Sequence, residues 1–596
     1  MTKRTVCAEF RDLVNAPDDH VREFQKKGGR WVELTMGQIG GLLEKLCLGL
    51  HELGVSRGVP VAILSHTRPE WLHLDLATLS AGGITVGVYA TLPTDEVTYI
   101  VEHSEAKIVV LEHLDFFQQH GEAVLACPRV EKVVIIDPGA LPDDERVIGY
   151  DQLIGRGGEL AAADPDRFDA LIEAVEPDHV ATYMYTSGTT GRPKAAILTH
   201  RALCETASAS REALPLDEGY VGLIFLPLSH ILQRVSMYFA TSDARGSAYW
   251  AESVDRLVDN LAEVRPTVMS SVPRIFEKIH TKVMARVESS PLHRRLLFNW
   301  AVGVGRKVSR CQQQRRPVPL HLKLQHLAAD RLVLHRIRDV LGGRCQFFGC
   351  GGAPLDPEIA EFFHACGVLI LEGYGLSETS AITCVNRPDH FKFGTVGPPV
   401  AGNQIRIAED GEILIKGPGV FSGYLKDEQA TREALEDGWF HTGDIGHLDG
   451  DGFLVITDRK KDLIVTAGGK NVAPQKIEHR LKQHPLVSQV MVHGDRRKFL
   501  TALITLDAEE IGEWAAAQGI AERDPERLVD HPLVREAIEG AVAEVNATLP
   551  RFETLKRFAI LPRDFSIESG EMTPSLKVKR REVTRRYHDV LDELYE

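Results

Sequence analysis

The sequence predicts an α/β protein. A large N-terminal domain of several subdomains, with parallel α/β layers, precedes a small α+β C-terminal domain. Three observations carry this. The chain has 596 residues, and at roughly 100–200 residues per folding unit that is about three or four units. Over the first two thirds, short apolar runs alternate with helical periodicity, the pattern of parallel strands connected by helices. From Gly397 the pattern changes to short strands separated by Gly/Asp turns, and past residue 462 it changes again.

In chain order, Thr35 to Leu53 predicts an amphipathic helix, with Thr35 and Gln38 spaced as a capping box at its start. The apolar runs Val59–Ser65, Thr85–Ala90, Ile108–Glu112, Lys132–Asp137, Val180–Ser187, Val221–Leu228, Pro266–Pro273, Gln346–Gly352 and Val368–Tyr374 predict strands. A helical insertion is expected over about 281–344. Gln404–Ile407, Glu412–Lys416 and Phe453–Thr457 predict a β-rich subdomain over about 397–457. The charged run Asp458-Arg459-Lys460-Lys461-Asp462 marks the boundary between a first domain, 1–457, and a second, 463–596. Leu463–Thr466, Pro474–Gln483, Val487–His493 and Leu500–Leu506 then read as strand, helix, strand, strand.

Composition excludes several classes. Hydrophobic residues make up 43% and charged residues 26%, which rules out a disordered, collagen-like or disulfide-scaffold chain. Nine irregularly spaced Cys predict free thiols in a reducing compartment. Met1-Thr2-Lys3-Arg4 leads into no apolar signal region, and every apolar stretch is broken well short of the roughly 20 residues a membrane span needs. A cytoplasmic protein is expected. The formal net charge of −15 argues against nucleic-acid binding. Residues 281–344 depart from that balance, with 14 Lys/Arg against 3 acids. Arg294-Arg295, Arg306-Lys307 and Arg315-Arg316 lie there, with Leu296, Leu297, Phe298 and Trp300 between the first two pairs. Two readings stay open: a peripheral contact with anionic lipid, or a solvated insertion with an ordinary buried face.

The strongest local signal is Tyr185-Thr186-Ser187-Gly188-Thr189-Thr190-Gly191-Arg192-Pro193-Lys194, entered from an apolar strand. Glycines let the backbone approach a polyanion, hydroxyls and N–H groups bind phosphate oxygens, and Lys194 adds positive charge. Pro193 and Ala195 break the Walker A pattern, and no Gly-x-Gly-x-x-Gly follows a strand, which counts against a nicotinamide dehydrogenase.

This decapeptide resembles the phosphate loop of the adenylate-forming superfamily, which includes acyl- and aryl-CoA synthetases, luciferases and the adenylation domains of peptide synthetases. The resemblance continues in order along nearly the whole chain, from about 30 to 585. Leu228-Ser229-His230 resembles its acyl-site motif and Gly351-Gly352-Ala353-Pro354 its adenine-contact turn. Gly373-Tyr374-Gly375-Leu376-Ser377-Glu378-Thr379 is similar to its Tyr-Gly-x-Ser/Thr-Glu motif, and His441-Thr442-Gly443-Asp444 to its ribose motif. Asp458–Asp462 with Gly468-Gly469-Lys470-Asn471 resembles its hinge and following loop, and Pro574 to Arg580 its C-terminal lysine motif. Leu576 stands where most of the family has Gly, as in its long-chain subgroup.

The resemblance implies a small β-barrel within the N-terminal domain, a mobile C-terminal domain turning about 458–462, and activation of a carboxylate by ATP before transfer to CoA. Thr186, Ser187, Gly188, Thr189, Thr190, Gly191 and Lys194 would hold phosphates, and Thr186 and Glu378 would ligate Mg²⁺. Gly351, Gly352, Ala353, Gly373, Tyr374, Gly375 and Ser377 would border the nucleotide. Asp444 would accept hydrogen bonds from the ribose, and Arg459 would meet ribose or phosphate. The catalytic set would be Lys577, Glu378, Lys194 and His230, with Lys579 an alternative to Lys577. Lys461 would be the hinge residue, and Gly468, Gly469 and Lys470 would face nucleotide and pantetheine. Ser271 to Lys278, the helical insertion and the 458–471 segment resemble the long-chain group, so a fatty acid is the expected acid. Trp250, Phe225, Phe239 and Tyr238 are candidate tunnel liners, with core packing their other reading. The competing functions are a fatty acyl-AMP ligase serving an acyl carrier protein, a CoA ligase for another acid, a luciferase-like oxygenase, and an inactive binding module. No obvious insertion between Val455 and Asp462, and a chain ending about 20 residues past Lys577, favour the CoA ligase.

Overall fold

The computed structural model describes residues 4–15, 21–186, 192–241, 246–573 and 577–596. Two large sheets organise the first part of the chain. One has the strand order Val147–Gly149, Lys132–Asp137, Ile108–His113, Pro60–Leu64, Ile84–Val88, Val180–Thr186, Lys194–Thr199, all parallel except the last pair. Pro60–Leu64 and Ile84–Val88 are buried at every residue. That is why they read as unbroken apolar runs: helices cover both faces of a parallel sheet.

The second sheet runs Cys384–Val385, Ile370–Tyr374, Phe347–Cys350, Val268–Ser271, Val221–Ile224, Ser247–Trp250, Val21–Lys27, Arg30–Thr35. Its centre is parallel and its two edge pairs are antiparallel. The edge hairpin Val21–Lys27/Arg30–Thr35 was not legible as strands, because Lys, Arg and Glu interrupt its alternation. Helix Met36–Glu52 follows, with the expected reciprocal cap between Thr35 and Gln38. It packs with Pro69–Ser80 into the largest core cluster, around Trp71 and Trp250.

The insertion is helical, as expected: Pro273–Glu288, Leu292–Gln313, Leu320–Ala329 and His335–Val340, the third joined to the fourth by a π-turn at Asp330–Leu334. Phe298, Val302 and Leu322 pack it onto helix Pro357–Ala365 and the second sheet. The β-rich segment is a five-stranded antiparallel sheet. Among the described residues its pairing does not close into the ring that a barrel requires. One strand, Trp439–Leu448, holds three partners together and was legible only as a motif.

The C-terminal part has its own core around Ile477, Leu503 and Ile538. There Val487–His493 and Leu500–Leu506 match the predicted strands end to end, and a further strand, Leu555–Leu561, lies parallel to the second. Its contacts with the first part are polar: Arg274 with Asp507 (3.5 Å), Lys282 with Glu509 (3.8 Å), Lys579 with Glu96 (3.9 Å), and Gln483 with Asp356.

Candidate functional site

The two sheets aim the C-terminal ends of their parallel strands at one cavity, the place where open α/β sheets bind ligands. Val180–Thr186 ends there, Phe347–Cys350 leads into Gly351-Gly352-Ala353, and Ile370–Tyr374 leads into Gly375 to Thr379. The cavity measures about 1600 Å³ and also takes its wall from Asp444, Arg459, Lys461 and Lys577.

Local backbone demands explain several of the residue types. A Cβ on Gly375 would lie 1.2 Å from the carbonyl oxygen of Ala381, so only glycine fits. Gly352 has φ +81°, which glycine adopts without cost. Ser380 and Ala381 hold φ of 55° and 84°, strained values for residues with a Cβ. This tight loop buries Glu378 and turns it toward Tyr424, whose hydroxyl donates to its carboxylate at 2.9 Å. Burial raises the Glu378 pKa.

Thr186 closes the strand, its hydroxyl donating weakly to the Lys194 carbonyl at 3.4 Å. Lys194 pairs with Asp427 at 3.2 Å and lies 5.3 Å from the centre of the Tyr424 ring. Arg192 stacks over Tyr99, whose hydroxyl donates to the Pro193 carbonyl, so helix Thr94–Ser104 braces the end of the loop. Ser187, Gly188, Thr189, Thr190 and Gly191 lie outside the described residues.

Three separate motifs converge at Asp444. The Tyr374 hydroxyl donates to one carboxylate oxygen at 2.6 Å, and Arg459 reaches the other at 3.1 Å. Register explains the second contact, because Asp444 and Arg459 face each other across paired strands. A carboxylate has about four acceptor positions, so Asp444 retains capacity for two hydroxyls.

Lys577 stands on a tight turn, its N–H donating to the Thr573 hydroxyl at 3.0 Å. Its side chain is open to the cavity. It nevertheless sits deep in the molecule, and that partial dehydration, aided by the positive charge of Arg459, lowers its pKa to about 8. Pro574, Ser575 and Leu576 are outside the described residues. His230 borders the same space. Burial and the Lys577 charge push it down to about 4, so it is neutral. Its Nδ1 accepts the Leu232 N–H at 3.2 Å, a tautomer that leaves Nε2–H as a donor.

Lys461 is exposed at the rim of the cavity. Gly468, Gly469 and Lys470 form the exposed turn of a small hairpin and are not among the cavity residues in this arrangement. Of the four aromatic liners expected, only Phe239 borders the cavity. Trp250 and Phe225 are core residues, and Tyr238 donates to the buried Asp75 beside Arg234. Two wall residues escaped sequence reasoning. Glu372 is buried, accepts the Leu355 N–H at 3.0 Å, and is driven to about 7 by burial. It sits inside an apolar strand with nothing to set it apart, although it directly precedes Gly373-Tyr374. Tyr424 reaches Glu378 from 46 residues away and carries no local signal.

Comparison with known proteins places this geometry. The chain matches the AMP-binding enzyme family over residues 11–425 and the AMP-binding enzyme C-terminal domain over 461–596. It is 38% identical over 581 residues to the long-chain-fatty-acid–CoA ligase FadD15 of Mycobacterium bovis, covering 95% of this chain and 93% of that one. It is 32% identical over 627 residues to the long-chain-fatty-acid–CoA ligase ACSBG2 of Gallus gallus, covering 99% and 81%. In fold it is similar to the adenylation domain of a carboxylate reductase from Mycobacterium chelonae, with TM-score 0.75, 22% identity, and coverage of 99% and 91%. The anthranilate CoA ligase AuaEII gives TM-score 0.70 at 18% identity, covering 100% and 99%. With both halves of the chain matched and the motifs gathered around one cavity, the chain belongs to the AMP-binding enzyme family of adenylate-forming enzymes.

Proposed function

We propose that the chain is an ATP- and Mg²⁺-dependent long-chain fatty acid–CoA ligase. It joins the acid to the α-phosphorus of ATP with loss of pyrophosphate, then passes the acyl group to the CoA thiol with loss of AMP. One observation carries this: a single cavity joins the Lys577–Asp444–Glu378 end to an apolar arm beneath helix Ile231–Thr241. Its volume exceeds the usual 300–1,000 Å³ or so of one small-ligand pocket. The naming of the relatives as long-chain ligases points the same way.

The first step brings two anions together, so charge neutralisation and alignment are the enzyme's task. Lys577 and Arg459 supply positive charge where the carboxylate meets the α-phosphate. Neutral His230 donates a hydrogen bond from Nε2–H to the carboxylate. Lys194 and the 186–191 loop hold the outer phosphates. Asp444 takes the ribose hydroxyls, and Gly351, Gly352, Ala353, Gly373, Tyr374, Gly375 and Ser377 border the base. Glu378 and Thr186 offer the hard oxygen donors that Mg²⁺ prefers, and no cluster of three metal-ligating side chains exists among the described residues. One carboxylate and one hydroxyl suit an ion whose other ligands are phosphate and water. When bound, that ion neutralises phosphate charge. For the second step we propose that residues 463–596 turn about Lys461 at the 458–462 boundary. That motion brings Gly468, Gly469 and Lys470 to the entering thiol. The CoA thiol gives its proton to solvent, the thiolate attacks the acyl carbon, the bond from that carbon to the phosphate oxygen breaks, and AMP leaves with the oxygen. The polar contacts between the two parts are of the kind that release readily.

Purified protein with Mg-ATP, CoA and acids from acetate to C24, with products identified by mass, tests this. Acyl-CoA peaking at C12–C20 is expected. Acyl-adenylate without acyl-CoA assigns a carrier-protein ligase instead. No adenylate with any acid refutes the enzyme reading.

We also propose peripheral contact of this cytoplasmic enzyme with an anionic membrane through residues 281–344. Leu292, Leu296 and Trp300 follow one row of helix Leu292–Gln313, opposite its buried Phe298 and Val302. Leu320, Leu324 and Leu327 do the same on the next helix. All six are exposed, Leu320 at 74%, and Arg294, Arg295, Arg315, Arg316 and Lys323 around them are exposed too. Such a face inserts leucines at the headgroup boundary while arginines meet phosphates. No helix among the described residues is long and apolar enough to cross a membrane. Sedimentation with phosphatidylglycerol vesicles but not phosphatidylcholine vesicles is expected, weakened by salt and by Leu296→Asp with Leu324→Asp. Equal recovery in both supernatants refutes the contact.

A further inference from the structure

We infer that two glycines on the floor of the apolar arm, Gly349 and Gly222, set the acyl chain length that this enzyme accepts. The inference rests on the long-chain reading above. Both residues are interior strand positions, where glycine weakens a sheet and marks a place that something must approach closely. A Cβ on either meets nothing nearer than 3.8 Å, which shows that each faces open space. Both border the cavity.

Pairing fixes their face. Gly349 lies opposite Ser270 and Leu371, and Gly222 opposite Val268 and Ala248. Val268 and Ser270 are two apart on one strand, so all of these look to the same side. That side faces helix Ile231–Thr241, because the Ser270 hydroxyl donates to the Ser236 hydroxyl at 3.0 Å. Roof and floor are therefore pinned together between the two glycines. Beside that pin Gly349 leaves one gap in the floor, and Gly222 leaves a second a diagonal step away, next to Val268.

The sheet also supplies a ruler. Strands advance about 3.3 Å per residue and lie about 4.8 Å apart. Counting from Gly351, where the arm meets the nucleotide site, Gly349 is two residues, about 6.6 Å, along. Gly222 lies two strands across and two residues further back, about 12 Å beyond Gly349. An extended chain with 1.5 Å bonds advances about 1.25 Å per methylene. Gly349 then sits beside about the fifth carbon and Gly222 beside about the fourteenth or fifteenth. Tyr220, two residues on and also bordering the cavity, closes the arm near the twentieth. Its ring rests so closely on Gly246 that a Cβ there would lie 2.0 Å from it.

The test is an acid series, C4 to C22, on wild type, Gly222→Ala, Gly222→Leu, Gly349→Ala and Gly349→Leu. Pyrophosphate release is read as kcat/KM, with ATP affinity and the thermal midpoint measured alongside. Gly222→Leu is expected to truncate the profile near C14 and Gly349→Leu near C6. Beyond the cut, activity should fall about fourfold per excluded methylene, the equivalent of its burial. The alanine variants should shift in the same order but less. A loss uniform across all lengths with unchanged ATP affinity overturns the inference, as does an unchanged profile in both leucine variants. If a leucine variant fails to fold, the corresponding alanine variant decides by its C18-to-C10 ratio. The wild-type profile judges the parent reading separately. A wild type that prefers short acids refutes the long-chain assignment, while one that prefers C12–C20 with unshifted variants refutes only the gauge. A wild type that activates no acid refutes both.

Discussion

Lys577 gives the mechanism its sharpest test. The proposed adenylation step needs its ammonium charged, yet burial and Arg459 hold its pKa near 8, against an ordinary 10.5. The sign follows directly: the cation is present below pH 8 and is lost as pH rises through it. In the free enzyme it is about 90% charged at pH 7 and about 9% charged at pH 9, so kcat/KM for adenylation should fall about tenfold between them. Once carboxylate and triphosphate are bound, their negative charge favours the ammonium, and the alkaline limb of kcat should move to higher pH. Pyrophosphate release without CoA, with Mg-ATP and acid held well below their KM values, reads the free enzyme and isolates this half-reaction from titration of the CoA thiol. His230 titrates near 4, so it adds nothing to the alkaline limb. Lys577→Arg keeps its charge throughout and should flatten that limb at a lower plateau, because a guanidinium cannot take the ammonium's position. Lys577→Ala should be flat and about 10²–10³-fold slower, the usual cost of removing one preorganised charge or donor. A wild-type limb that survives unchanged in Lys577→Arg refutes the assignment, since some other group would then be titrating.

Four further outcomes follow from contacts already described. Asp444→Asn should raise the KM for ATP by about 10–100-fold, the worth of hydrogen bonds to a charged acceptor, whereas Tyr374→Phe should cost under about tenfold because it removes one bond to a carboxylate that Arg459 still holds; steady-state kinetics with varied ATP separates them. Gly375→Ala drives a methyl into the Ala381 carbonyl, so adenylation should be abolished and denaturant titration should show a loss of about 3 kcal/mol. Arg234→Met leaves the fully buried Asp75 without its counter-charge, held only by the Tyr238 hydroxyl, and should destabilise by about 3–5 kcal/mol in the same titration, much of it recovered when Asp75→Leu is added. Arg274→Ala with Lys282→Ala removes two contacts to the C-terminal part, one partly buried and one exposed, the exposed one worth at most about 1 kcal/mol; single-turnover assays should show adenylation slowed a few-fold and thioester formation not slowed.

What the sequence disclosed and what it withheld divide along a physical line. Strands whose side chains are buried on both faces announce themselves, and Lys132–Asp137, Val487–His493 and Leu500–Leu506 match their apolar runs end to end. Trp439–Leu448 does not, because its Thr442, Gly443 and Asp444 are strand residues only by virtue of the partners on either side. Site residues divide in the same way. Tyr374, Asp444 and Arg459 each stand in a recognisable motif, but their mutual contact is a property of the assembled strands. Glu372 and Tyr424 act through long-range contacts alone, and no spacing rule reaches them. The sequence offers Trp250, Phe225, Phe239 and Tyr238 as liners of the acyl arm, and all but Phe239 are core, since large side chains fill space instead of leaving it. A tunnel is written in what is absent. Gly222 and Gly349 contribute nothing to an apolar pattern, and in sequence each reads as a weak point in a strand. Only when pairing sets them on one floor, under a helix pinned by Ser236 and Ser270, does the missing side chain become a dimension of the substrate.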